Sequence, residues 1–242
     1  LTQTFIHADP YPWPHDGALD SQTTALLVID MQNDFCAPGG YVDSMGYDLT
    51  DVLAVIPNIL TLRQAFRDWG GLVVYTREGH KPDLSDLLPL KQWRSRNAGI
   101  GIGAQGPLGR LLVRGEPGWE IIPELTPAPN EPVVDKAGYS AFFGTDLDIV
   151  LRARGISHLV LTGATTDICV HSTLREAVER GYECLLIGDA CAATDPTNHA
   201  AAVTTVTTEG GIFGAVTTSH KFISGLAPPR PLASTSKPIF AQ

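Results

Sequence analysis

Three side chains in this sequence could together run a hydrolysis: Asp30, Lys136 and Cys169. A thiol attacks a carbonyl only after losing its proton, so it needs a base. Asp30 is the candidate base: it would take the proton and pass it to a leaving nitrogen. As a carboxylate again, it would activate water against the thioester. Lys136 would keep Asp30 ionised and orient it, because a nearby cation favours the charged form. Cys169 falls where a strand turns into a helix. There, unpaired N–H groups and the positive end of the helix dipole favour thiolate. The backbone N–H groups of Thr165 and Cys169 are placed to hold an oxyanion. Two plainer readings stay open: Asp30 and Lys136 as a structural ion pair, and Cys169 as a small buried residue at a helix start.

The elements around these residues put them on one edge. Residues 24–30, 72–76, 132–136, 159–164, 182–187 and 212–216 are short apolar runs of the length of buried strands. Asp30 and Lys136 each close one, and Cys169 lies in the first helical turn after another. Arg77 and Glu78 stand at the end of a further strand, and Asp189 after the next. Helical spacing marks residues 51–69, 146–154, the segment from Cys169 to Gly181, and 196–208. Strands alternating with helices predict one α/β domain, a mostly parallel, Rossmann-like sheet with helices on both faces. Ligands of such sheets sit at the carboxyl ends of the strands. Residues 1–21 predict an extended arm whose Tyr11 and Trp13 pack on the body or on another subunit. The domain spans 22–226, and 227–242 is a loose tail. Residues 79–118 show no clear periodicity and read as a lid or interface excursion, with Arg77, Lys91, Trp93 and Arg94 as its candidates.

Composition narrows the function. The 242 residues carry a net charge of −9, which disfavours a nucleic-acid or anionic-membrane partner. No run reaches transmembrane length, and the first residues lack the pattern of a secretory signal. The cysteines Cys36, Cys169, Cys184 and Cys191 form no C-x-x-C, which favours free thiols and a reducing, cytoplasmic location. All but Cys169 read as structural. A G-x-G-x-x-G match at 101–106 has no preceding strand and is followed by Pro107, so it is no dinucleotide site. The absence of G-x-S-x-G disfavours a serine hydrolase. No metal is expected: His80 stands alone, His171 packs on its own helix, and His158 and His199 read as surface or element-end residues. No cofactor is expected either.

Three segments carry a resemblance: Val28 to Phe35 (VIDMQNDF), Asp135–Lys136, and Thr162 to Val170 (TGATTDICV). With them the chain resembles the isochorismatase-like cysteine hydrolases, a family that includes nicotinamidases, N-carbamoylsarcosine amidase and ureidoacrylate amidohydrolase. The resemblance implies an Asp–Lys–Cys triad at Asp30, Lys136 and Cys169, a non-proline cis peptide at Ala164–Thr165, and a dimer or, preferably, a homotetramer. Further segments are similar to biuret hydrolases: Asp9–Pro14, Gly39–Asp43, Met45–Leu49, Thr76–His80, Arg114–Trp119 and Gly181–Leu185. The implied activity is ammonia release from a small neutral ureide, biuret or triuret, with Phe35, Ala164 and Glu209 at the substrate; two plainer readings stay open, Phe35 as core and Glu209 as a helix-end surface residue. Glu209 stands where those enzymes carry Gln. Glutamate only accepts hydrogen bonds, which suits ureide N–H donors and would repel a carboxylate substrate lying near it. A ureidoacrylate-type or lactam amidase and a catalytically silent scaffold are the alternatives.

Overall fold

The computed structural model describes residues 3–226, so the expected tail at 227–242 lies outside the described residues. Six strands form the sheet: β1 (Thr24–Ile29), β2 (Leu72–Glu78), β3 (Val133–Lys136), β4 (His158–Ala164), β5 (Glu183–Ala192) and β6 (Ala215–Thr217). Their order is β3-β2-β1-β4-β5-β6, and every pairing is parallel. The longer helices are α1 (Ile56–Trp69), α2 (Pro89–Asn97), α3 (Leu147–Arg152), α4 (His171–Glu179), α5 (Pro196–Gly211) and α6 (Ser219–Gly225).

Successive strand residues point to opposite faces, and here both faces are covered. Leu26, Val28, Val73, Tyr75 and Val160 join one core with Ile59, Leu62 and Phe66 of α1. Ala25, Leu27, Ile29, Leu159 and Leu161 join the other with Leu147 and Leu151 of α3 and Leu174 and Ala177 of α4. That is why these strands are continuous apolar runs without polar alternation.

Several boundaries differ from expectation. The helix over 51–69 is two, Thr50–Ala54 and α1, because Pro57 lacks an N–H and its ring collides with the preceding turn. The excursion is not without helix: α2 begins on Pro89, followed by a two-residue hairpin at Gln105–Gly106 and Gly109–Arg110. The last strand starts only after Gly214, and Ile212 is exposed. The arm folds onto the body, with Ile6 and Trp13 fully buried and Trp13 edge-on to His158 at 5.6 Å. His158 opens β4 and is buried, an element-end residue and not a surface one.

Candidate active site

Four neighbouring strands deliver the site. Asp30 follows β1 in a left-handed conformation, φ 50°. β2 ends on Glu78 and β3 on Lys136, and these two are register partners in the ladder. β4 ends at Ala164; the Ala164–Thr165 peptide is cis, and a π-helical turn, Thr166–Val170, carries Cys169 into α4. The close approach of β4 to β1 explains Gly163: at φ 114° its absent Cβ would lie on the Ile29 backbone.

Asp30, Glu78, Lys136 and Cys169 are all buried. Lys136 Nζ lies 2.6 Å from Asp30 Oδ2 and 3.4 Å from Glu78 Oε2, and donates to the Gly138 carbonyl at 3.0 Å. Thr76 Oγ1 donates to Asp30 Oδ1 at 2.6 Å. The Cys169 thiol donates to Glu78 Oε2 at 3.1 Å. Lys91 Nζ, from α2, reaches Glu78 Oε1 at 2.6 Å and the Ala137 carbonyl at 2.7 Å. Gln32 fixes the Glu78 backbone: its Oε1 accepts from Glu78 N at 2.7 Å and its Nε2 donates to Glu78 O at 2.9 Å.

Electrostatics divide the acids. Burial pushes the Asp30 carboxyl up, and Lys136 offsets that only in part. Burial also works against ionised Glu78, but Lys136 and Lys91 outweigh it and hold its carboxyl down at about 2. The Cys169 thiol is pushed well up, first by burial and then by Glu78 and Asp30, with Lys136 opposing. The helix-start expectation of a ready thiolate is therefore corrected: in this geometry the thiol keeps its proton and offers it to Glu78. Asp30, Glu78 and Cys169 could in principle share a metal, their ligand atoms lying within 4.8 Å of one another. Lys136 is already the cation between the two carboxylates.

A cavity of about 270 Å³ opens on Cys169, with Phe35, Tyr41, Glu78, Lys91, Arg94 and Thr165 on its walls. Of the expected contacts, Phe35 and Thr165 line it. Ala164 is buried behind, next to the cis bond. Glu209 is exposed where α5 breaks, at φ 54°, and is not among the lining residues. Its expected place at the substrate is not where this chain puts it. Glu78 was anticipated only as a strand-end residue and Lys91 only as a lid or interface candidate, neither as a partner of the triad. The signal for Glu78 was its position at a strand end, one strand from Asp30. His171 does pack on its helix, accepting from Arg175 at 3.0 Å, and His80 pairs with Asp86 at 3.2 Å.

A buried thiol, carboxylate and ammonium at the carboxyl edge of a parallel α/β sheet define a cysteine hydrolase. Residues 24–221 match the isochorismatase domain family, and the chain belongs to that family. It is 38% identical over 222 residues to the ureidoacrylate amidohydrolase RutB of Variovorax paradoxus (strain S110), covering 89% of this chain and 86% of that protein. The RutB of Caulobacter vibrioides (strain ATCC 19089 / CIP 103742 / CB 15) is 38% identical over 188 residues, 76% of this chain and 82% of that one. Among solved structures, a cysteine hydrolase from Pseudomonas syringae pv. phaseolicola 1448A superposes with a TM-score of 0.74 at 29% identity, covering 93% of this chain and 98% of that one. N-carbamoylsarcosine amidase from Thermoplasma acidophilum gives 0.61 at 31%, covering 81% and 96%. These relatives support hydrolysis of an amide C–N bond. They are named for ureidoacrylate and N-carbamoylsarcosine, so the narrower likeness to biuret hydrolases is carried only by the segments quoted above. No helix among the described residues is long and apolar enough to cross a membrane.

Proposed function

We propose that this protein releases ammonia from the terminal carbamoyl group of a ureide that also carries a carboxylate, a ureidoacrylate-type substrate. The observation that carries this is Arg94. On the cavity wall Glu78 is matched by Lys91, and behind it the buried Asp30 is matched by Lys136. The exposed Arg94 guanidinium on the wall makes no hydrogen bond or ion pair among the described residues. A planar guanidinium is suited to a carboxylate. The expected repulsion of such a substrate rested on Glu209, which lies outside the lining.

In the proposed reaction Asp30 accepts the Cys169 proton and sulfur attacks the carbamoyl carbon. The N–H groups of Thr165 and Cys169 hold the oxyanion, and Asp30 returns the proton to the departing ammonia. Water, deprotonated by Asp30, then cleaves the resulting S-linked thiocarbamate to a carbamate, and Asp30 passes that proton back to sulfur to restore the thiol. Four free, buried cysteines fit a cytoplasmic setting. Homo-oligomeric assembly, by resemblance, belongs to the same proposal.

A neutral ureide such as biuret is the second reading, favoured by the Thr76–His80 segment, which supplies Glu78 to the site. Ammonia release from ureidoacrylate, biuret, triuret, N-carbamoylsarcosine and nicotinamide separates the two, with Cys169→Ser as control. The expected result is turnover of ureidoacrylate, lost in the control, with KM raised about tenfold by Arg94→Ala, the loss of one charge-assisted contact. Turnover of biuret or triuret with ureidoacrylate untouched overturns the carboxylate reading.

A further inference from the structure

The Cys169 thiol is not hydrogen-bonded to the acid that the triad would use as its base. Its proton points at Glu78 Oε2, 3.1 Å away, and the other oxygen of that carboxylate is held by Lys91 at 2.6 Å. Lys91 is on α2, inside the 79–118 excursion, whereas every other member of the cluster stands on or next to the sheet. We propose that Glu78 is a parking site for the thiol proton, and that Lys91 is the positioning residue that sets how firmly Glu78 holds it. The nucleophile is thereby coupled to the docking of α2. The inference rests on Cys169 as the nucleophile, but not on any particular substrate.

The physical argument is one of charge. A carboxylate within hydrogen-bond reach of sulfur stabilises the thiol and repels the thiolate. Each cation placed on that carboxylate weakens both effects. Glu78 is faced by Lys136 from β3, Lys91 from α2, Asp30 after β1, Cys169 from the π-helical turn, and by His80 and Tyr41. Lys136 is shared with Asp30, to which it sits closer, 2.6 Å against 3.4 Å. Lys91 is the ammonium in closest contact with Glu78, and its other contact is the neutral Ala137 carbonyl. Displacing α2 would leave Glu78 more negative and the thiol harder to ionise. Docking it loosens the S–H for transfer to Asp30. No bond is made or broken by the device: it only changes which oxygen the thiol proton faces.

The test is the pH profile of iodoacetamide alkylation at Cys169, followed by mass spectrometry of its peptide in the full chain. No ureide is needed, so failure here and failure of the substrate reading are distinguishable. Lys91→Met is expected to move the midpoint to higher pH, slowing labelling near neutrality about tenfold, the effect of one pK unit. Lys91→Arg should restore the profile to within about threefold, since it keeps the charge. Glu78→Gln should move the midpoint down and speed labelling about tenfold. In that background Lys91→Met should change nothing beyond about twofold, because its effect runs through Glu78. The inference is overturned by an unshifted midpoint in Lys91→Met, by an equal slowing at every pH, by additive effects in the double variant, or by slower labelling in Glu78→Gln. If Glu78→Gln does not fold, the Met and Arg variants at Lys91 decide alone: a shift that arginine rescues supports the coupling, and no shift overturns it.

Discussion

The carboxyl edge of the sheet has two halves that solve the same problem differently. Under β3, β2, β1 and β4, buried polar groups are satisfied by opposite charges arriving from other elements: Lys136 of β3 against Asp30 and Glu78, and Lys91 of α2 against Glu78. Under β5 and β6 the buried Thr217 and the half-buried Asp189 are satisfied by neutral neighbours. Asp189 accepts from Ser219 N at 2.7 Å and from Ser219 Oγ at 2.8 Å, and its carbonyl accepts from Asn58 at 2.6 Å. Thr217 donates to the His7 carbonyl at 2.7 Å. Losing one member of a charge-compensated set leaves another buried and unpaired, which is costly. Losing one neutral hydrogen bond costs little. Reactivity belongs to the first half because only there can a proton move between groups that all need it.

The sharpest way to break this contrast is Asp30→Asn. Ammonia release should fall by about a thousandfold, and leaving Lys136 without its nearest anion should cost about 3–5 kcal/mol in urea unfolding. Retained activity would remove Asp30 from the chemistry. Away from that edge, where Trp13 packs on His158 at the start of β4, Trp13→Ala should cost a similar ~3–5 kcal/mol by leaving a cavity, with kcat of the folded fraction within about twofold of normal. An intermediate effect should come from Asp34, which accepts from Leu112 N at 2.9 Å and Tyr41 N at 3.2 Å beside the cavity. Burial raises its carboxyl to about 6 from 3.8. A raised carboxyl adds stability fully present below its unfolded value and lost as pH rises through its folded one. Native stability relative to Asp34→Asn should therefore decline by up to ~3 kcal/mol between about pH 4 and pH 6. A flat difference across that range would contradict the assignment. The smallest effect should be Asp189→Asn: about 1–2 kcal/mol in thermal unfolding and unaltered turnover.

Much of this edge was legible because local pattern carries it. Apolar runs closing on Asp30 and Lys136, and a strand-to-helix turn at Cys169, need only neighbouring residues to be recognised. Glu78 was visible as a strand end but not as a partner, since its role depends on the register that sets it opposite Lys136, a non-local fact. Lys91 was visible only as a lid or interface candidate, and its place beside Glu78 was not, for a different reason. α2, running PLKQWRSRN, has no apolar stripe, and Pro89 at its start was the main local sign of a helix. Glu209 shows the converse: a residue expected at the substrate by resemblance depends on where a helix end points, and α5 breaks just before it, turning it outward.

One detail of the arm bears on how this molecule avoids its own kind. β6 closes the sheet on one side, and a terminal strand with open N–H and C=O groups is a template for intermolecular pairing. Asp9 occupies that template in both directions, donating to Val216 O at 2.9 Å and accepting from Val216 N at 2.8 Å. The first residues of the chain thus act as a built-in competitor for the rim of the sheet. Clipping them would expose a strand able to recruit a second chain, turning a loss of a few contacts into a propensity to aggregate.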